Sequence, residues 1–129
     1  MIGNAIYKIL ADDAGVGAIC ANQIYPQFAP QKSALPFITY DLISNVPLNS
    51  KGNTSHIDSV RVQLNCIADD PLEAANLAAA VRTALDGYAG TPAGTGVALR
   101  NVMFDGENDL LEEEDTFGRA VDYIFYLKK

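Results

Sequence analysis

The strictest constraint on the fold lies in residues 57–67, IDSVRVQLNCI. Val60, Val62, Leu64 and Cys66 alternate with polar residues, and this period of two is that of a β-strand with one buried and one polar face. A strand covered on a single side is typical of antiparallel sheets, because parallel sheets are usually buried on both faces. We therefore expect a mostly antiparallel sheet with one covering layer.

The segment that follows this strand predicts the clearest helix. Asp70 is expected to cap its N-terminus, Pro71 suits the first helical position, and Glu73 lies three residues after the cap. Apolar residues and repeated alanines continue through residues 72–85. Gly87 then stands where helices commonly end in a left-handed residue, so we expect the helix to stop there.

The remaining elements are weaker. Residues 2–11 predict a short amphipathic helix, and further extended segments are expected at 24–26, 37–44, 97–105 and 118–127. Residues 45–56 are polar and turn-rich and predict a flexible loop. In the last strand the second face, with Asp122, Ile124 and Tyr126, is partly apolar, so this strand is either covered on both sides or meets a partner chain on one.

This order of elements predicts an α+β domain spanning residues 1–129. It would consist of a mostly antiparallel sheet of about four strands, with one long helix and a short N-terminal helix packed on one face. The composition is globular, with 49% hydrophobic and 19% charged residues. The formal net charge of −7 argues against non-specific binding to nucleic acid or to an anionic membrane.

No segment of the sequence predicts secretion or membrane insertion. The first residues lack the charged start and the cleavage site of a signal peptide. No apolar run approaches the roughly 20 residues of a membrane span. We expect a protein made and kept in a cytoplasm.

The residues that most often carry chemistry are scarce. The single histidine, His56, lies ten residues before Cys66, which is about 33 Å along a continuous strand and too far for a nucleophile pair. A pair with Cys20 stays open, although nothing in the sequence supports it. Zinc would need three or four converging ligands, so no metal site is expected. Both cysteines are expected to be reduced and buried, and a disulfide would require the fold to bring them together.

Two other segments invite a chemical interpretation. The acidic run Glu112, Glu113, Glu114 and Asp115 is either a cation or paired-carboxylate site or, with greater weight, a solvated hairpin tip or partner-facing patch. Residues 90–96, GTPAGTG, look like a phosphate loop, but neither a Lys-Ser or Lys-Thr pair nor a helix follows. We expect no cofactor and no enzyme activity.

Several short motifs resemble the tail completion or tail terminator proteins of tailed bacteriophages and prophages. The resemblance covers roughly residues 1–90 and rests on Ile24-Tyr25-Pro26, Ala29-Pro30-Gln31, Leu35-Pro36-Phe37-Ile38, Arg61-Val62-Gln63-Leu64, and the helix from Ala75 to Gly87 with Val81, Arg82, Ala84 and Leu85. None of these motifs contains a catalytic residue.

The resemblance implies a structural virion protein, assembled in the host bacterial cytoplasm, that forms a ring, usually a hexamer, at the head-proximal end of the tail. Such a ring ends polymerisation of the tail tube protein and offers a docking surface to the head-completion or connector protein. DNA would pass through the lumen without specific binding. The resemblance implies no enzyme activity, no cofactor and no membrane.

The proline-punctuated arm of residues 25–37 is the first candidate contact with a partner. Proline restricts the free chain, so a proline-stiffened arm loses little entropy when it binds. It would run along the sheet edge or into a neighbouring subunit, and an internal crossover between helix and strand is an equally weighted alternative. The candidate residues of this arm are Tyr25, Pro26, Phe28, Pro30 and Pro36.

Polar segments supply the other candidate contacts. Lys51 and His56 lie in the predicted loop, whose polar tip favours binding. Glu112, Glu113 and Glu114 would either line the lumen and repel DNA phosphates or steer docking to a basic face. Two rival functions stay open: another phage neck or tube assembly protein, and a small cytosolic enzyme with a site between subunits.

Overall fold

The fold is described by a computed structural model that covers residues 2–20, 23–26, 36–50, 53–113 and 116–128, with backbone alone for 47–50, 53–56 and 109–113. Three helices are present in these ranges: α1 (Ile2–Asp12), α2 (Ala14–Cys20) and α3 (Pro71–Leu85). The predicted N-terminal helix and long helix are confirmed. A break at Asp13 separates the second short helix from the first, because the Asp13 carboxylate accepts a hydrogen bond from the Val16 amide at 2.9 Å.

Five strands form one sheet in the order β1-β2-β3-β5-β4. Their bounds are β1 (Ile24–Pro26), β2 (Phe37–Ser50), β3 (Asn53–Ala68), β4 (Leu99–Glu113) and β5 (Thr116–Lys128). All neighbouring pairs are antiparallel except β1 and β2, which run parallel. The predicted α+β class is confirmed, with five strands where about four were expected.

The predicted loop at 45–56 is wrong. Strand β2 continues to Ser50 and β3 begins at Asn53, with Leu48 opposite Ile57 in the ladder. Likewise β4 extends to Glu113, through most of the acidic segment that was expected to connect two shorter strands. Ladder hydrogen bonds between backbones do not depend on side-chain polarity, so a hairpin can extend through polar residues that read as turns.

The core lies on one face of the sheet. Val60, Val62, Leu64 and Cys66 are each at most 1% exposed, which confirms the buried face predicted for this strand. The helices bury apolar side chains against the same face, and burial of each large one contributes roughly 1.5–3 kcal/mol. These helical residues include Ile6, Leu10, Val16, Leu77, Val81 and Leu85.

Both ends of α3 are fixed as the sequence predicts. The Asp70 carboxylate accepts a hydrogen bond from the Leu72 amide at 3.0 Å, and Pro71 is the first helical residue. Gly87 follows the helix with φ +81°, the left-handed region that favours glycine. Its amide donates to the Val102 carbonyl at 2.8 Å, which ties the end of α3 to the outer edge of β4.

The two cysteines are not joined in a disulfide, and both are buried, as expected. Burial is the main cause, with smaller contributions from Cys20 and Glu107, of a pKa of the Cys66 thiol raised to about 12. A thiol with so high a pKa stays protonated at neutral pH and is a poor nucleophile. Cys66 therefore serves as a small apolar core residue.

Candidate assembly surfaces

The face of the sheet opposite the core is polar, and an ion pair and hydrogen bonds join side chains of different strands across it. Arg61 forms an ion pair with Asp105 across the sheet, and the Gln63 side chain donates to the Asp122 carboxylate at 3.2 Å. About a third of the Arg61 and Asp105 side-chain surface is exposed, so the pair contributes at most about 1 kcal/mol to stability. This surface, which we call the uncovered face, is chemically suited to contact with another polar surface.

The network on the uncovered face continues toward β2. The Asn65 side-chain amide donates to the Thr39 hydroxyl and to the Asp41 carboxylate, both at 3.3 Å. Thr39 is only 6% exposed. The Asn65 Oδ1 atom is buried and has no hydrogen-bond partner among the residues that the structure describes. These contacts hold the β2 and β3 backbones in a fixed arrangement on this face.

Apolar side chains interrupt the uncovered face near β4. Met103 is 45% exposed and lies opposite the half-buried Ile124. Tyr126 is also half-buried on this face of β5. The second face of β5 is thus only partly covered within the described part of the chain. Contact of this face with a partner chain stays a prediction.

The proline-rich arm begins and ends at one place on the sheet edge. The Tyr25 and Phe37 rings meet edge to face with centroids 6.3 Å apart. The Gln23 side chain donates to the Pro36 carbonyl at 3.0 Å, and the Ile38 amide donates to the Gln23 carbonyl at 2.8 Å. Both ends are therefore anchored to each other within this chain.

Among the other predicted residues of the arm, one is described by the structure and the rest lie outside the described residues. Pro26 is exposed at the end of β1. Phe28 and Pro30 lie outside the described residues, as do Lys51 and Glu114. Their contacts with a neighbouring subunit stay predictions.

The predicted contacts in the two long hairpins lie at opposite ends of the sheet. His56 belongs to the backbone of β3 near the turn that joins it to β2, whereas Glu112 and Glu113 are the last residues of β4. Strand β5 runs from the acidic end, where Phe117 is opposite Ala68, to the other end, where Lys128 is opposite Ile57. The structure thus keeps these two predicted groups apart.

Two observations bear on metal binding and on ionisable groups in the described ranges. No group of three or more His, Cys, Asp or Glu residues that could hold a metal ion occurs among them. The resolved pKa shifts, at Tyr40, Cys66 and Tyr123, are all upward and caused mainly by burial, which opposes ionisation. None of the described helices is long and apolar enough to cross a membrane.

One concave region of about 260 Å³ lies between α1 and the segment after α3. Its charged side chains, Lys8, Asp12 and Asp13, have structural partners. The Lys8 ammonium pairs with the Asp12 carboxylate at 3.1 Å, and Asp13 accepts the bond that begins α2. The charged groups of this concavity are therefore engaged in contacts that hold the local structure.

Sequence reasoning missed the contacts that join α3 to β4. The Asp86 carboxylate accepts a hydrogen bond from the Phe104 amide at 3.2 Å, and the Arg82 guanidinium lies 3.9 Å from the centroid of the Phe104 ring. The spacing of Arg82 and Asp86 by four residues at a helix end was the available signal. No pattern in the sequence predicts that Phe104 contacts Arg82 and Asp86, or that Arg61 pairs with Asp105.

Comparisons with known proteins agree with this fold. The family described as tail completion protein gp17 has a model that matches residues 4–128. A chain in a solved structure titled as the virion of a native gene transfer agent (GTA) particle is similar, with a TM-score of 0.79 and 19% identity. The match covers 99% of this chain and 95% of that chain, and at this identity it shows the fold alone. No curated protein matches the chain.

Proposed function

We propose that this chain, which belongs to the tail completion protein gp17 family and is a structural protein of a phage-like tail, forms a closed ring at the head-proximal end of the tail tube. The ring, which we expect to be a hexamer, ends polymerisation of the tube and presents a docking surface to the head connector. The observation that carries the proposal is the family match over residues 4–128. The similar chain of a gene transfer agent virion supports it through the fold.

The distribution of charge favours a subunit whose two ends bind different partners. Seven of the sixteen acidic residues fall within residues 105–115, a stretch without Lys or Arg. At the opposite end of the sheet, Arg100 and Lys128 are exposed. A ring of such subunits, with strands inclined along its axis, would have one acidic rim and one rim with basic residues. Two different rims suit a protein that binds a tube on one side and a connector on the other.

We assign the acidic rim to docking on a basic face of a neighbouring ring. Opposite charges accelerate encounter and fix orientation more than they add affinity. The alternative is that the same carboxylates line the lumen and repel DNA. Replacing Glu112, Glu113 and Glu114 together with Gln should slow docking at low salt and have little effect at high salt. Normal docking rates and normal infectivity at every salt concentration would contradict both roles.

Assembly is the whole activity in this proposal, with no reaction and no cofactor. Cys66 and Tyr123, whose pKa values are raised by burial, are buried and neutral at neutral pH, so neither supplies a charged group for catalysis. An enzyme with a site between subunits would need an acid or base on the ring contact. Turnover of a metabolite by the purified ring would overturn the proposal.

The proline-rich arm is proposed to contribute to the ring through residues 27–35, between two anchored ends. Its ends are fixed at Tyr25 and Pro36, so a segment between them starts from and returns to a defined place on the edge. The variants Pro30→Gly and Pro36→Ala should weaken ring assembly by loosening the free arm. If both leave ring assembly and tail length unchanged, the connection serves only as an internal crossover.

Electron microscopy of the purified chain, alone and with tube subunits, tests the function. We expect closed rings in the first sample and rings at one end of each tube in the second. A tube or neck protein of the same fold would instead form open-ended stacks or bind along tubes. A monomer or dimer that ignores tubes would contradict the proposal.

A further inference from the structure

The outer side of β4 is paired along the first half of the strand. The Gly90 backbone exchanges two hydrogen bonds with the Leu99 backbone, both 2.8 Å long, in the manner of a short extra strand. The end of α3 then bonds to the Val102 carbonyl and the Phe104 amide on the same side. The outer side of β4 therefore accepts strand pairing, and the chain itself supplies partners as far as Phe104.

Beyond Phe104 the outer side of β4 has no such partner in the described part of the chain. Strand β4 is the edge of the sheet and continues to Glu113. We call the outer side of residues 105–113 the open edge, and it is about 30 Å long at the usual rise of a strand. Edges of this kind pair readily with an extended segment of another chain.

We propose that the open edge is the docking site for an extended, basic segment of a partner protein, which adds to the sheet as a further strand. This inference rests on the docking function proposed above and specifies how the acidic rim binds. Backbone hydrogen bonds would give the contact its geometry, and charge would select the partner.

The strand register identifies the backbone groups that such a segment would reach. In an antiparallel ladder, residues that bond to the neighbouring strand alternate with residues whose backbone groups point away from it. Val102 and Phe104, whose groups point outward, lie opposite odd-numbered residues of β5. The β4 residues opposite the next odd-numbered positions are Glu107, Asp109 and Leu111. Their backbone groups therefore face outward along the open edge.

The surroundings of the open edge leave room for another strand. Asp105, Glu107 and Asn108 are exposed. A Cβ atom added to Gly106 would meet no other atom within 4 Å. The helical layer and the segment after α3 thus leave this part of β4 accessible.

Charge selects a basic occupant over a second copy of the same edge. Residues 105–113 carry five carboxylates and no Lys or Arg. Two of the carboxylates, on Asp105 and Glu107, pair with Arg61 and Arg119, so the formal charge of the edge with these arginines is −5 + 2 = −3. Pairing of two such edges would place like charges opposite each other, which destabilises a sheet. A segment rich in Lys or Arg brings opposite charges instead.

A synthetic peptide of about ten residues with alternating Lys and Val serves as the probe of strand addition. The control peptide has the same sequence with a methyl group on every backbone nitrogen, which keeps the charge and removes the hydrogen-bond donors. In calorimetric titrations of the full chain, we expect the first peptide to bind about tenfold more tightly than the control. Equal affinities, or no binding of either peptide, would overturn the inference.

A pair of variants tests whether the outward amide of Glu107 takes part. Glu107→Pro removes this amide and keeps the ladder with β5, because proline is tolerated where an edge strand faces outward. Glu107→Gln is the matched control, since it removes the carboxylate and keeps the amide. Circular dichroism checks that both variants are folded. The proline variant should bind the Lys-Val peptide about tenfold more weakly than the glutamine variant does, and equal binding would contradict the assigned edge.

Amide hydrogen exchange provides a readout specific for strand pairing. Saturation with the Lys-Val peptide should slow exchange of the Glu107 amide roughly tenfold, with little change at Asn108, whose backbone faces β5. Unchanged exchange at Glu107 would overturn the inference. Protection of Glu107 that grows with protein concentration in the absence of peptide would identify a second copy as the occupant and overturn it too. These measurements involve no tubes, so their failure leaves the ring proposal standing, whereas wild-type chain that does not cap tubes contradicts the ring proposal itself.

Discussion

The Tyr123 hydroxyl is predicted to destabilise the fold. Tyr123 is 0% exposed, and its hydroxyl has no hydrogen-bond partner among the described residues. A buried polar group without a partner costs about 1–3 kcal/mol. Tyr123→Phe removes this cost and keeps the aromatic ring in place. The edge-to-face contact with the Phe104 ring, whose centroid lies 5.9 Å away, is therefore retained. The void left by one oxygen, roughly 12 Å³, costs only about 0.3 kcal/mol.

The net expectation is a stabilisation of about 1 kcal/mol, or about 4 °C in Tm for 129 residues. Urea unfolding at a protein concentration below ring assembly measures it. Tyr126→Phe is the matched control, because Tyr126 is half-buried on the uncovered face and should change stability by less than about 0.5 kcal/mol. Tyr123→Ala should cost about 3–5 kcal/mol. Destabilisation of 1 kcal/mol or more by Tyr123→Phe would refute the reasoning, since the hydroxyl would then have a partner.

Three further predictions concern stability. Asp70→Ala should cost about 1 kcal/mol in urea unfolding by removing the cap on the Leu72 amide, and Asp70→Asn much less; equal losses would refute the cap. Gly87→Ala should cost about 1 kcal/mol because φ is +81°, whereas Gly17→Ala, inside α2 with open space around it, should stabilise by about 0.5–1 kcal/mol; the same sign for both would contradict this. Burial raises the pKa of the Cys66 thiol from 9.0 to about 12, so the folded state keeps the thiol proton at pH values where the unfolded state has lost it. The protonated thiol's contribution to the free energy of unfolding is therefore lost as pH rises from 9 toward 12. Between pH 9 and 11 the free energy of unfolding should fall more steeply in the wild type than in Cys66→Ala, by about 1.4 kcal/mol per pH unit; parallel slopes would refute it.

The sequence predicted those elements whose conformation depends on residues that are close together in the chain. The alternation around Val62 fixed both the strand and its buried face, because a period of two leaves no other placement for the apolar side chains. The cap at Asp70 and the left-handed Gly87 fixed the bounds of α3 for similar reasons. Brief segments with a proline signal, such as Ile24–Pro26, were also found as extended chain.

Long-range pairing decided the rest and could not be predicted. The polar residues around Asn53 read as a loop, yet they pair across a hairpin because the neighbouring backbone supplies their hydrogen bonds. The parallel contact of β1 with β2 depends on how the chain crosses over, which no local period encodes. The contact of Arg61 with Asp105 joins residues 44 positions apart and depends on the sheet order.

The candidate assembly surfaces likewise combine features that the sequence shows with features that depend on long-range strand pairing. The excess of carboxylates at residues 105–115 is visible in the sequence, but its position at the end opposite Lys128 follows only from strand pairing. The exposure of Leu42 was not predicted, because Leu42 continues the apolar period of its strand. Only the limited reach of the helices over the sheet leaves it uncovered.

Arrest of tube growth tests the central claim most directly. Tube subunits would be polymerised with increasing amounts of this chain, and tube lengths measured by electron microscopy with a label on the chain. The account predicts that tubes become shorter as the chain is added, with the label at a single end of each tube. Unchanged lengths, or label distributed along the tubes, would contradict it.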